Sequence, residues 1–259
     1  MSQNILEVRG LTKSFGGIHA LSDVTFTLEA GEMLALIGPN GAGKSTCFNL
    51  LMGQLRADAG LVKFAGRKIS NLRPRHIWRL GVGRTFQITE TYASMTVIEN
   101  VQMAIMSYHR RCMSFWPRAK ELYRDEAQEL LHLVDMDDQA HRPAAILAYG
   151  DVKRLELAVA LANQPALLLL DEPTAGMGPS EREALMTLVS SIVKERHIGT
   201  LFTEHDMNMV FAHAHRILVL NRGRLIANGS LAEVRNDPQV QEVYLGGGAS
   251  DYDAATRAC

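Results

Sequence analysis

Met33-Leu34-Ala35-Leu36-Ile37 runs directly into Gly38-Pro39-Asn40-Gly41-Ala42-Gly43-Lys44-Ser45-Thr46. The five apolar residues read as a buried strand, the glycines as a tight loop, and residues 45–52 as a short helix stopped by Gly53. Glycines let successive backbone N–H groups curl around an anion, and the following helix points the positive end of its dipole at the same charge. In such a loop Lys44 reaches the terminal phosphates of a nucleotide, and the Ser45 hydroxyl is placed to ligate Mg²⁺. A glycine-rich turn with no ligand is the plainer alternative. The strand before it and the helix after it favour a phosphate-binding loop.

The 259 residues are 47% hydrophobic and 21% charged, enough for one large domain or two small ones with a proper core. A net charge of -1 provides no overall basic footprint, so nucleic acid is not an expected partner. No run approaches the roughly 18 apolar residues of a membrane span, and Met1-Ser2-Gln3-Asn4 does not open a signal region. The chain is therefore expected in the cytoplasm, linked to any membrane through a partner. Cys47, Cys112 and Cys259 show neither paired nor metal-ligand spacing, as in a reducing compartment. Because Cys47 follows the phosphate loop, a bulky thiol modification there is expected to block nucleotide binding.

Residues 5–9 and 24–28 alternate like half-buried antiparallel strands around a Gly16-Gly17 turn, and residues 61–65 return to the same β layer. From 96 to 163 helical patterns dominate, as in 118–134, where Leu122, Ala127, Leu130, Leu131 and Val134 share one face. Residues 166–170, 199–203 and 216–220 are short apolar runs typical of parallel strands buried on both faces. The expected organisation is one domain over 1–246. Within it, 1–95 and 164–246 form the β layer and nucleotide core, 96–163 is an inserted helical subdomain, and 247–259 is a flexible tail.

In open α/β sheets ligands bind beyond the carboxyl ends of the strands. Asp171-Glu172 follows an apolar run at once: Asp171 is placed to hold Mg²⁺, and Glu172 to accept a proton from water attacking a γ-phosphate. A helix cap before Pro173 is the alternative for one carboxylate. His205, in Thr203-Glu204-His205-Asp206, follows another strand and is placed to hydrogen-bond the γ-phosphate; a surface or capping role is the alternative. Gln87, in Arg84-Thr85-Phe86-Gln87, ends a further short strand and offers an amide to Mg²⁺ or the attacking water.

Together these segments resemble the ATP-binding cassette (ABC) family of transport ATPases, over nearly the whole chain up to about residue 246. The Walker A loop is residues 38–46, Gln87 resembles the Q-loop glutamine, Asp171-Glu172 the Walker B end and His205 the switch histidine. The resemblance implies an α/β P-loop NTPase (RecA-like) core with an N-terminal antiparallel β layer and an inserted α-helical subdomain. It also implies ATP and Mg²⁺ as cofactors, and Phe15 as the aromatic that stacks on adenine. Leu147-Ala148-Tyr149-Gly150-Asp151 stands at the family signature, usually Leu-Ser-Gly-Gly-Gln, ahead of a helix expected to start near Asp151. In the family this segment completes the ATP site of an opposite subunit, so Ala148, Tyr149, Gly150 and Asp151 are expected to act in trans.

The form of this signature, and Val243-Tyr244-Leu245-Gly246, resemble the ATPases of branched-chain amino-acid importers. Such a subunit implies two transmembrane permease subunits, a second cassette, identical or different, and indirectly a periplasmic solute-binding protein. It implies a place on the cytoplasmic face of the inner membrane, held there through the permeases. The lipopolysaccharide-export ATPase and non-transport cassettes are the rival readings. Ala175-Gly176-Met177-Gly178 occupies the place of the D-loop, where Gly178 departs from the usual aspartate. In the family, residues 88–100 face the permease; a linker is the plainer reading. Tyr108 and the basic, aromatic stretch that follows it to Arg118 is either a solvated loop or a contact to lipid headgroups or a partner.

Overall fold

The computed structural model describes residues 4–85, 91–110 and 121–245. The alternating segments near the start form a hairpin, β1 (Asn4–Phe15) and β2 (Ile18–Glu29), turned at Gly16-Gly17. Both strands outrun the alternation in the sequence because register shifts around Leu11 and Lys13 bend the pair without ending the ladder. Next come β3 (Met33–Ile37), α1 (Lys44–Leu51), β4 (Ala59–Phe64), β5 (Arg67–Lys68), α2 (Pro74–Arg79) and β6 (Val82–Thr85). The helical stretch holds α3 (Val97–Tyr108), α4 (Arg124–Leu133) and α5 (Tyr149–Leu161). The remainder alternates as β7 (Leu167–Asp171), α6 (Pro179–Arg196), β8 (Gly199–Thr203), α7 (Met207–His213) and β9 (Arg216–Asn221). It closes with β10 (Arg224–Gly229), α8 (Leu231–Asn236) and α9 (Pro238–Leu245).

Two sheets result. An antiparallel sheet has the order β2-β1-β4-β5, and a second sheet the order β10-β9-β3-β8-β7-β6. The second is parallel from β9 to β6; β9, expected as a purely parallel strand, pairs antiparallel with β10 on its outer side. Alternation along the buried strands sorts the core into two layers. Leu34, Leu36, Leu167 and Leu169 pack with Leu6, Val8 and Phe26 of the antiparallel sheet and Phe48 of α1. Met33, Ala35, Ile37, Leu168 and Leu170 face the other way, into a cluster shared with α3, α4, α5 and α6. With both faces covered, the free place for a ligand is the edge where β3, β7 and β8 end.

One expectation in the helical stretch needs correction. The helix expected over 118–134 starts only at Arg124, because Tyr123 takes a left-handed backbone (φ 56°) as its N-cap. Leu122 precedes that break, and its carbonyl accepts from Gln102 Nε2 at 2.8 Å, while Ala127, Leu130, Leu131 and Val134 are buried as expected. Of the basic, aromatic stretch, Tyr108 sits edge-on to Trp78 and His109 stacks on Tyr123 at 4.7 Å; residues 111–118 lie outside the described residues. α3 starts at a capping box in which Thr96 and Glu99 satisfy each other's backbone N–H groups. Among the described residues no helix is long and apolar enough to cross a membrane.

His213, at the end of α7, is packed beneath α6, where its Nδ1 meets Ser190 Oγ at 2.9 Å and its Nε2 lies 3.9 Å from Glu183. Burial lowers its pKa, with Glu183 partly opposing. The unfolded chain takes up this proton near pH 6.5 while the folded ring stays neutral to lower pH. His213 therefore contributes stability that is full above the unfolded pKa and is lost as pH falls toward the folded one. Urea midpoints measured from about pH 7.5 to about pH 5.5 should fall less for His213→Gln than for the parent chain.

Candidate functional site

The loop after β3 is forced into shape by its neighbours. Gly38 has φ 153°, and a Cβ there would stand 2.1 Å from the Leu220 carbonyl oxygen; Gly43 has φ 111°, with the Ala20 carbonyl oxygen 2.5 Å from such a Cβ. Only glycine fits either place. Gly43 is also the N-cap of α1, and no side chain caps the helix. Pro39, Asn40 and Gly41 are exposed, Ala42 is buried, and Ser45 and Thr46 lie in the first turn of α1, Ser45 exposed. Lys44 is buried and donates to the carbonyls of Gly38 at 2.6 Å and Pro39 at 3.2 Å. Burial lowers the Lys44 pKa, while the charges of Glu172 and then Asp171 pull it back up.

The carboxylates sit at the ends of the neighbouring strands. Asp171 ends β7 opposite Thr203 of β8. Its Oδ2 accepts from Arg84 Nη2 at 3.0 Å and its Oδ1 from the Thr203 hydroxyl at 3.0 Å. That hydroxyl in turn accepts from the Glu172 backbone N–H at 3.0 Å, which fixes the direction of its own proton. Glu172 has a left-handed backbone (φ 50°), and its Oε1 lies 2.8 Å from His205 Nε2. A carboxylate only accepts, so Nε2 carries the proton in this contact. Next door, Glu204 Oε1 accepts from both the N–H and the hydroxyl of Thr174, and burial raises the Glu204 pKa.

The fold thus gathers Lys44, Asp171, Glu172 and His205 at one edge. Gln87 lies outside the described residues. Phe15, at the end of β1, is 46% exposed and no core phenylalanine, with Lys13 Nζ 5.3 Å from the ring centroid. The helix expected near Asp151 begins two residues earlier, at Tyr149. Extended Ala148 is its N-cap, and the Ala148 carbonyl accepts from Val152 N–H at 3.0 Å. Tyr149 is 48% exposed and lies over Gly176, where a Cβ would come 3.2 Å from the ring. Gly150 neighbours Glu181, whose Oε2 accepts from Gly178 N–H at 3.1 Å. Tyr149 and Gly150 therefore lie against Gly176, Met177 and Glu181 of the same chain. A cleft of about 670 Å³ runs along the outer side of the loop at Pro39–Ala42 and is bounded by Gln239 and Glu242 of α9.

Arg84, Thr203, Thr174 and Glu204 received no role from the sequence. Arg84 stood in the segment quoted for Gln87, but only the adjacency of β6 to β7 shows what it touches. A magnesium site fits the donors present. The Ser45 hydroxyl and the Asp171 carboxylate suit an ion that takes one or two carboxylates and completes its shell with phosphate oxygens and water.

Comparison with known proteins agrees with this geometry. A family profile described as ABC transporter matches residues 21–175, and one described as Branched-chain amino acid ATP-binding cassette transporter matches residues 224–250. The high-affinity branched-chain amino acid transport ATP-binding protein LivG of Salmonella typhimurium is 39% identical over 254 residues, covering 95% of this chain and 99% of that protein. Among solved structures, the ADP conformation of MJ1267, an ATP-binding cassette of an ABC transporter, superposes with a TM-score of 0.83 at 30% identity, covering 95% of this chain and 100% of that one. The dimeric post-hydrolysis state of the cassette MJ0796, bound to ADP and Pi, superposes at 0.74 with 27% identity, covering 87% and 98%.

Cys47 lies beneath the loop as its position after Thr46 requires. The side chain is 1% exposed in the core, and burial pushes its thiol up to about 12. Burial and the raised pKa both disfavour the accessible thiolate that alkylation needs. Peptide mapping after iodoacetamide treatment at about pH 8 should find Cys47 unmodified in the native chain and labelled in urea.

Proposed function

The chain belongs to the ABC transporter family as a transport ATPase, and on that premise we propose that it energises the import of branched-chain amino acids or related small polar solutes. The likeness to LivG along 95% of the chain and the match at residues 224–250 support that solute class. The observation that carries the chemistry is the His205–Glu172 hydrogen bond at the strand ends, beside a lysine that feels both carboxylates.

In this reading residues 38–46 cradle the phosphates of ATP, Lys44 reaches the terminal ones, and Phe15 stacks on adenine. His205 has one Nε2–H and two acceptors to serve, the Glu172 carboxylate and a γ-phosphate oxygen. Passing that bond to the phosphate frees Glu172 to take the proton of the attacking water. Ser45, Asp171 and Gln87 are the residues that would hold Mg²⁺, which supplies neutralising charge at the β- and γ-phosphates. Ala148, Tyr149, Gly150 and Asp151 would complete the site of a second cassette, offering backbone N–H groups from the uncapped start of α5. The dimeric form of the MJ0796 cassette supports this two-subunit reading.

As an ABC transporter ATPase the chain works with membrane permeases. We assign it two permease subunits, a second cassette and, indirectly, a periplasmic binding protein, with the chain on the cytoplasmic face of the inner membrane. Two adjoining cavities of about 250 and 350 Å³ share Trp78 and Val159 and form a groove between α2, α3 and α5. That groove suits a short amphipathic helix of a permease. Residues 96–163 serve as the helical subdomain, which supplies the α3 and α5 walls of this groove.

Glu172→Gln should keep ATP affinity and lose on the order of 10²–10⁴ in turnover, the span of general-base catalysis. Turnover at the parent rate would remove Glu172 from this role. Mild solubilisation of host membranes and identification of what copurifies with the tagged chain should yield two polytopic permeases and a second cassette. Ribosomes, or a lipopolysaccharide bridge protein, would overturn the import assignment and leave the ATPase chemistry intact.

A further inference from the structure

We infer that Arg84 is a positioning residue for the magnesium–nucleotide site: it fixes the Asp171 carboxylate and ties it to the helix that carries Ser45. The inference rests on the reading above, in which Asp171 and Ser45 face the metal. Those two groups come from separate elements, β7 and α1. A metal site needs both held at constant separation, and outer partners of the ligands usually do that work.

One guanidinium spans the gap. Arg84 Nη2 donates to Asp171 Oδ2 at 3.0 Å, with the two side chains only 6% and 7% exposed. Arg84 Nη1 donates to Asn49 Oδ1 of α1 at 2.9 Å and to Gln54 Oε1, just past that helix, at 2.9 Å. Its carbon end lies 5.7 Å from the ring centroid of Phe48, also in α1. Removal of the guanidinium would leave the buried carboxylate without the donor that fixes its orientation and without its tie to α1.

A second role for the same pair is a counter-ion that competes with Mg²⁺ and swings away when it arrives. The contacts argue against it. Three oxygen acceptors on three different side chains and an aromatic face hold the guanidinium, so it is a brace with no free rotation. Asp171 meanwhile spends one acceptor site of each oxygen, on Arg84 and on Thr203, and keeps the other for an incoming water or metal.

The test is binding of a fluorescent ATP analogue, titrated with Mg²⁺ and repeated in EDTA, for the parent chain, Arg84→Gln, Arg84→Lys and Asp171→Asn, with thermal unfolding measured alongside. Arg84→Gln should raise the Mg²⁺ midpoint about tenfold and leave binding in EDTA unchanged. Arg84→Lys should recover part of the shift, because an ammonium can hold Asp171 but cannot reproduce the planar fork to Asn49 and Gln54. A merely structural Arg84 would lower Tm and leave the Mg²⁺ midpoint where it was. An unmoved or lowered midpoint in Arg84→Gln, with a raised one in Asp171→Asn, overturns the role of Arg84 and spares that of Asp171. An unmoved midpoint in Asp171→Asn overturns both. Should Arg84→Gln fail to fold, Arg84→Lys decides the matter: a raised midpoint supports the brace and a parent-like one refutes it.

Discussion

A carboxylate buried at the end of an apolar strand has to be satisfied by its neighbours, and at Asp171 that need organises the site. Four leucines precede it in β7, all sealed from water, so the carboxylate emerges at the boundary of the core with little solvent to stabilise its charge. Its two partners come from the strands on either side, Arg84 from β6 and Thr203 from β8. The strand order is thus written into the side-chain chemistry of the edge. Exchange of β6 for a strand without a cation would leave one oxygen unpaired. Stability alone is a poor explanation for such a pair, because a buried ion pair often does no better than well-packed apolar side chains. The inferred positioning of Asp171 gives the pair a geometric task instead.

The parts of this arrangement that were legible in the sequence are the ones with local signatures. The strand–loop–helix at 33–52, the Gly16-Gly17 hairpin and the strand-end residues Asp171, Glu172 and His205 follow from periodicity and turn chemistry within a few residues of each other. Arg84, Thr203 and the Thr174–Glu204 contact were not legible. Each depends on which strands lie side by side, and sequence order does not determine that: β6 and β7 are neighbours although about eighty residues separate them. The start of α4 was missed for a different reason. Leu122 fits the apolar face of a longer helix, but the backbone turns left-handed at Tyr123 and the Leu122 carbonyl is taken by a side chain from α3. Periodicity registers which residues are apolar and has no access to that contact.

The unusual signature packs against the segment that follows Asp171-Glu172. Tyr149 occupies the surface above Gly176, where a Cβ would come 3.2 Å from its ring so that the ring would have to give, and Glu181 reaches back to cap Gly178 beside Gly150. The aromatic at 149 and the missing side chain at 176 are therefore parts of one contact. The left-handed backbone at 176 (φ 80°) opposes a side chain there as well. Gly178 has an ordinary backbone (φ -69°) and only Glu181 near it, so its part is to offer the N–H that Glu181 takes at the start of α6.

Lys44, Asp171, Glu172 and His205 each have a partner within the chain, and the partners divide by how readily they can be exchanged. Lys44 rests on two neutral carbonyls and Glu172 on a half-exposed histidine, contacts that phosphate oxygens can replace with stronger, charge-assisted ones. The exchange gives Lys44 new acceptors, and it redirects the His205 Nε2–H hydrogen bond from one anion to another while the proton stays on the ring. Arg84 and Thr203 are different in kind: each joins the Asp171 carboxylate to another part of the chain, Arg84 to Asn49 of α1 and to Gln54, and Thr203 to the Glu172 backbone N–H. The site thus combines a fixed frame around Asp171 with replaceable contacts around Lys44 and Glu172. On the proposed reading of the site, such a frame would hold Asp171 toward the metal while Lys44, Glu172 and His205 change partners at the γ-phosphate, as preorganisation requires.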